Sequence, residues 1–358
     1  MDLILTACGP NCVDCTSLPT NHVCVNGRCS CNDQTGAGCN SNEFCTFLGC
    51  ALKEWQIVDT NQTWCYDGSD TQVNCGDCGD ACTGQDGTVS GSGRHFNVGQ
   101  ANGQLYVTDS DTGLVWTKTV KDMVTFQEAQ GYCDDLNYAG FADWRLPTAT
   151  ELLTIVNWQG KDPAAFAEFD MPTNGNAEFW SGSPAGPGSR ATVDFSSGAL
   201  TMKSESGTLN ARCVRGAVWG KTGYFSQRFV PKTATSGEVY YIDSATNLAW
   251  YEKVLTTGCP AWRETLSTCD GFNFDGLRWR SPNINELMSL FDLDSPGFSD
   301  FPAQSAQPNR WFSSTTDVTS TDRAWQVEFD KGNGIFLFGS ATKQDTVHCT
   351  ILCVAGPL

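Results

Sequence analysis

The chain is short of positive charge. It has 22 Lys and Arg against 40 Asp and Glu, for a net charge of −18, and residues 1–90, 91–217 and 218–358 carry −9, −5 and −4 of it. No basic stripe exists to neutralise phosphates, which excludes nucleic acid as a partner. Charge-driven binding of sulfated glycans is excluded for the same reason. Histidine is scarce too: His22, His95 and His348 are the only three, and they are scattered. Neither a G-x-S-x-G nucleophile elbow nor a C-x-x-C-H haem attachment occurs. No apolar run approaches the roughly 20 residues needed to span a bilayer. With 40% hydrophobic residues the chain is globular rather than disordered.

What it has in excess is cysteine. Of 19 cysteines, 13 lie between Cys8 and Cys82. Such density argues for an oxidising, extracytoplasmic compartment and a disulfide framework. Zinc sites favour paired C-x-x-C knuckles, often with histidine. Here the spacings are irregular and only His22 lies among them, so no metal and no cofactor is expected. Residues 9–88 are rich in Gly, Asn, Asp and Cys and show little helical periodicity. They read as loops closed by cystines, unable to build a large core of their own. Asn61-Gln62-Thr63 is an N-glycosylation sequon.

Beyond the Gly/Ser linker at 88–93, the chain repeats itself. YCDDLNYAGFADWRLPTATELLTIV (Tyr132 to Val156) returns as TCDGFNFDGLRWRSPNINELMSLF (Thr268 to Phe291). Upstream, LYVTDSDTGLVW (Leu105 to Trp116) matches VYYIDSATNLAW (Val239 to Trp250). Tyr106/Tyr240, Asp109/Asp243, Thr112/Thr246 and Trp116/Trp250 all lie 134 positions apart. In each repeat two β-runs joined by a turn should precede two helices. Thr125 with Glu128, Thr148 with Glu151, and Asn283 with Glu286 form capping boxes, which gives Glu151 and Glu286 structural rather than catalytic work. Phe126, Ala129 and Cys133 recur at helical spacing, as do Trp262, Leu266 and Cys269. Short β-runs follow: FWSGS pairs with WFSST, and RCVRG with LCVAG. The matched Trp116/Trp250 and Trp144/Trp279 read as core, whereas the unmatched Trp158 and Trp219 read as surface contacts.

The run DTGLVW…YC…DWRLPT..EL…FWS…RCVR resembles the DUF1566 family, the C-terminal domain of the Legionella collagen-like adhesin. Two copies cover roughly 94–216 and 228–357, the second with Arg280-Ser281-Pro282 in place of Arg-Leu-Pro. The frame is also similar to formylglycine-generating-enzyme-like domains of the C-type-lectin-like fold. The resemblance implies α+β domains: two tandem C-type-lectin-like units after a small disulfide-rich N-terminal module. It implies that a cystine ties the first helix to the last strand, pairing Cys133 with Cys213 and Cys269 with Cys353. Cys259 and Cys349, present only in the second repeat, would then pair with each other. The run Asn74 to Cys82, NCGDCGDAC, resembles the Stig1-like cysteine-rich modules. Leu5-Thr6-Ala7-Cys8 resembles a bacterial lipobox with Cys8 as the lipidated residue, although only Leu3-Ile4-Leu5 precedes it as an apolar stretch; the equal alternative is an ordinary disulfide cysteine at Cys8, with a free or intermolecular thiol elsewhere.

The expected organisation is therefore 1–8 as a remnant of a lipoprotein signal, 9–88 as the disulfide module, and 89–217 and 218–358 as repeats that fold separately. The expected function is that of a secreted or surface-displayed bacterial binding or adhesion protein, not an enzyme. Its partner would be a glycan, a protein or another copy of itself. A structural subunit of an extracellular filament or coat is the alternative, and a formylglycine-generating-enzyme-like oxidoreductase a distant one. The expected contact loops are Gly160–Glu178 and Asp294–Arg310. Gln307-Pro308-Asn309 matches a lectin sugar-and-calcium tripeptide but lacks its partner motif, so it reads as a chance loop.

Overall fold

A computed structural model describes residues 57–89, 93–218, 228–255, 259–291, 293, 301–302, 309–330, 335–346 and 350–356, together with the backbone of four short strands between residues 22 and 52. Those strands, β1 (His22–Val25), β2 (Arg28–Cys31), β3 (Glu43–Thr46) and β4 (Gly49–Leu52), make two hairpins, and β5 (Trp64–Tyr66) with β6 (Gln72–Asn74) makes a third. Cys8, Trp219, Cys349 and the Gln307-Pro308 pair lie outside the described residues.

The first repeat runs β7 (Phe96–Ala101), β8 (Gln104–Asp109), β9 (Val115–Thr117), β10 (Lys121–Val124), α1 (Phe126–Asp134), α2 (Ala149–Leu153), β11 (Glu178–Gly186), β12 (Ser189–Asp194), β13 (Ala199–Ser204), β14 (Leu209–Ala211) and β15 (Val214–Arg215). The second runs β16 (Phe229–Thr233), β17 (Val239–Asp243), β18 (Ala249–Val254), α3 (Trp262–Asp270), α4 (Ile284–Met288), β19 (Asn309–Thr316), β20 (Arg323–Asp330), β21 (Ile335–Thr342) and β22 (Thr350–Ala355). Each repeat has two sheets. The first has strand orders β15-β9-β8-β7 and β10-β14-β11-β12-β13; the second has β16-β17-β18-β22 and β19-β20-β21. Among the described residues the molecule is mostly β, with four short α-helices.

Local chemistry explains the elements. Thr125, Thr148 and Asn283 each accept from the backbone N–H three residues on, and Glu128, Glu151 and Glu286 reach back to close the capping boxes. Helix α3 keeps half of this device: Glu264 accepts from the Ala261 N–H (3.1 Å), and Ala261 has no side-chain oxygen to return the bond. At the β8–β9 turn, Asp109 accepts from the Thr112 hydroxyl (2.6 Å) and Gly113 takes φ +74°, a left-handed turn position that suits glycine. Asp243 and Thr246 repeat the bond at 2.7 Å. A disulfide joins Cys133 of α1 to Cys213, and another joins Cys269 of α3 to Cys353 of β22. Cys259 is also disulfide-bonded, and Cys349, the partner expected for it, is not among the described residues.

The Trp-Arg motif has a second purpose. The backbone of Arg145 bridges Val214 and that of Arg280 bridges Val354, so each arginine closes the inner edge of a sheet. Its guanidinium then forks onto the capping glutamate six residues on. Arg145 meets Glu151, and Arg280 meets Glu286, with both bonds of each fork at 2.6 Å. Both glutamates are fully buried. A second repeated pair, Arg94–Asp109 and Arg228–Asp243, is likewise buried at 2.7 Å.

Each repeat keeps a cluster of its own, around Cys133 and Cys213 in the first and around Cys269 and Cys353 in the second, but the largest cluster is shared. It runs from Trp116, Leu152, Phe179 and Val193 of the first to Trp250, Leu287, Trp311 and Val327 of the second. Trp158, expected at the surface, lies at its centre and is 1% exposed. Its indole N–H donates to Asn285 of α4 (2.9 Å), and its ring packs against Trp325 (5.2 Å) and Phe338 (6.0 Å). The expectation failed because Trp158 has no counterpart tryptophan. It fills a joint between unlike surfaces, and a repeat comparison cannot see such a joint.

Residues 57–88 are not a detached module either. Val58 belongs to the shared cluster. The Gln62 amide bonds Thr316 (3.0 Å to its carbonyl), and the Asn61 side chain of the sequon donates to Asn157 (3.2 Å). Arg263 of α3 donates to the carbonyls of Tyr66, Asp67 and Ala81. Lys343, almost fully buried, donates to Asp70 (3.1 Å) and sits over the rings of Tyr66 and Trp262. The segment, closed by the cystines Cys65–Cys75 and Cys78–Cys82, is thus a wedge bound to both repeats.

Candidate binding groove

The described part of the expected contact surface is the loop 160–178 of the first repeat; most of Asp294–Arg310 lies outside the described residues. The loop is anchored at both ends. At its start the Asp162 N–H donates to Ser196 (3.0 Å) and the Ala164 N–H to Phe195 (2.6 Å). In the middle Phe169 is buried and stacks edge-on against Phe96 (5.1 Å) and Trp116 (6.3 Å). At its end the Asn210 amide donates to the carbonyls of Asn176 (2.8 Å) and Glu178 (3.0 Å).

The clamp over this loop is Arg212, the first residue of the RCVR motif. Its guanidinium is buried and donates to the carbonyls of Thr117 (2.8 Å), Lys118 (2.6 Å) and Asp170. It lies over the rings of Phe169 (5.2 Å) and Phe179 (5.5 Å). Burial pushes its pKa down to about 10, against the opposing pull of Asp170, so it stays charged at neutral pH. A buried cation with three carbonyl partners and two aromatic faces is well compensated. The second repeat has Leu352 at this position, so it lacks this clamp.

Between the loop and the end of β12 lies a groove of about 610 Å³. Pro163, Met171 and Pro172 give its lining apolar groups, and Asp162, Glu178 and Asp194 give it acidic ones. Glu178 is held in place by Lys203 (3.0 Å), by Thr192 (3.2 Å) and by Thr201. Asp194 accepts from the Ser196 N–H (2.8 Å). The volume falls within the range of small-molecule sites, roughly 300–1,000 Å³. Among the described residues no group of His, Cys, Asp and Glu is arranged to hold a metal ion. His95 is exposed and pairs with Asp111 (3.0 Å) rather than with a hydroxyl or thiol.

A tandem of disulfide-tied, mostly β repeats, with no helix among the described residues long and apolar enough to cross a membrane, defines the class. The family model of the Lcl C-terminal domain matches residues 105–215 and again 240–351. The chain belongs to the Lcl C-terminal domain family. No curated protein matches this chain. Both family matches lie beyond the Cys-rich segment, so the Stig1-like run at Asn74 to Cys82 stays a resemblance.

Most of the groove residues lie inside the loop expected from the sequence, but Asp194 and Ser196 come from the end of β12 and the turn after it. The clamp was missed. Arg212 was read as part of a matched β-run, and the signal that could have found it is the Arg-to-Leu difference between RCVRG and LCVAG.

Proposed function

We propose that this chain is an extracellular surface protein of the adhesin kind, that its repeats are lectin-like in use, and that it catalyses nothing. It holds a neutral or cationic ligand in the groove beside the loop 160–178. The observation that carries this reading is the groove itself: a cleft of about 610 Å³ with a mixed apolar and acidic lining, on a loop fixed by the buried Arg212. That size suits one or two sugar rings or a single basic side chain. The net charge of −18 opposes anionic polymers and favours neutral or cationic partners. The cystine content suits an oxidising exterior.

Replacing the whole loop is a poor test, because Phe169 and Ala164 are core residues. The better variant is Asp162→Asn/Met171→Ala, which removes one charge and one apolar group from the lining while keeping a residue that tolerates the positive φ of position 162. Wild type and variant are compared on arrays of neutral and amino glycans and of Lys/Arg peptides. Ligands captured by the wild type should bind the variant about 10-fold more weakly, a loss of about 1.4 kcal/mol, at unchanged melting temperature. Equal binding by both proteins, or no capture by the wild type, refutes the reading.

A further inference from the structure

Sheet edges show how this molecule meets others. An uncovered edge strand is a template for pairing, and proteins guard such edges with charge, proline or cover. Among the described strands of the two repeats, nearly every edge is guarded. β15 and β22 are closed by the bridges from Arg145 and Arg280. β13 and β21 lie against one another, and β19 lies beside β22. β10 carries Lys121 and Asp122. β16, the outer strand of the second repeat, carries Pro231 and Lys232.

β7, its counterpart in the first repeat, has none of these. Its sequence is FNVGQA, without charge or proline, and no described strand pairs with its outer side. Val98, at its middle, is 48% exposed, and Leu105 of β8 beside it is 37% exposed. Val98 shares its face with the fully buried Val107 opposite it, so the apolar core side of the sheet continues to the open edge and stops there.

We propose that β7 is the self-association strand of this protein. It pairs antiparallel with β7 of a second copy about a two-fold axis at Val98, joining the two four-stranded sheets into one. The occupant is a second copy because this edge is self-complementary. A two-fold perpendicular to the sheet puts residues of the same face opposite each other, so Val98 meets Val98 and Asn97 meets Gly99. Charge points the same way. Two copies of net −18 repel each other over most of their surface, whereas β7 itself holds no charged side chain and pairing along it adds no repulsion of its own. This assembly does not rest on the groove: Phe96 packs on the loop 160–178, but none of the residues lining the groove belongs to β7.

The test is sedimentation of the full chain across a concentration series, for wild type, Val98→Lys and Val98→Thr. Wild type should move from one to two chain masses. Val98→Lys sets two ammonium groups face to face and should weaken the dimer about 100-fold, at unchanged melting temperature of the monomer. Val98→Thr keeps the strand uncharged and should still dimerise. Amide exchange of residues 96–101 should slow as concentration rises. A chain that stays monomeric while capturing an unrelated strand peptide at this edge would overturn the choice of occupant. So would amides 96–101 protected at every concentration, which would mean that another segment of the same chain covers the edge. A dimer unaffected by Val98→Lys would place the contact elsewhere and end the proposal.

Discussion

Asp86 offers the sharpest test of the wedge. It is fully buried where residues 57–88 meet the second repeat, and one carboxylate oxygen accepts from both Thr60 (2.9 Å) and Thr315 (2.6 Å). Among the described residues it has no ion-pair partner, and Asp59 and Glu286 add like charge nearby. Burial pushes its pKa up to about 7, only partly offset by the two hydroxyls. The folded protein therefore holds this proton more tightly than the unfolded chain, where the group titrates near 4. The resulting stability is fully present below about pH 4 and is lost as pH rises through 7. About three pKa units at 1.36 kcal/mol each amount to about 4 kcal/mol. Urea unfolding of wild type and Asp86→Asn, with disulfides intact, should be measured from pH 4.5 to 8.5. The difference in unfolding free energy between the two should shift in favour of Asn by about 3 kcal/mol across that range, and amide exchange within 57–88, after division by its intrinsic rise with pH, should quicken in the wild type alone. A difference that does not change with pH would mean that Asp86 ionises like an exposed carboxylate, and the account of a buried acid at this joint would be wrong.

Trp158→Ala should cost about 3–5 kcal/mol, the range for emptying a buried large aromatic site. Calorimetry should then resolve two transitions where the wild type shows one, because the variant loosens the joint between repeats; a single sharp transition at an unchanged temperature refutes the shared core. Arg145→Ala leaves the buried Glu151 carboxylate without its cation and should cost about 3–5 kcal/mol. Arg145→Met/Glu151→Leu should recover more than half of that by chemical denaturation, whereas additive losses would show that the pair itself carries the stability.

The sequence was informative wherever a bond is local or repeated. The capping glutamates lie three residues from their caps, and the Asp109–Thr112 turn returns at Asp243–Thr246 with the same spacing. The buried pair Arg94–Asp109 was available by the same offset of 134 through Arg228–Asp243, but arginines outside a motif attract no notice. The forks from Arg145 and Arg280 needed three-dimensional knowledge that the guanidinium turns back onto the capping residue. Trp158, Arg263 and Lys343 could not be read at all, because each acts between parts of the chain that have no common pattern. Composition told only part of the story at residues 57–88. Few apolar residues there pointed to cystines as the support, and the segment is also bound by polar and cationic groups supplied from the repeats.

The wedge also sets the order in which the molecule can be finished. Its cystines close over 10 and 4 residues, and they can form as soon as that stretch is made. Its bonds to the second repeat span far more chain: 229 residues from Asp86 to Thr315, 254 from Gln62 to Thr316, and 273 from Asp70 to Lys343. Contacts so distant in sequence form late, after the closure entropy of everything between them has been met. The earliest part of this stretch to leave the ribosome is therefore among the last to dock. Until Lys343 has emerged, the first repeat has to carry its side of the joint, Trp158 included, without the surfaces that later cover it.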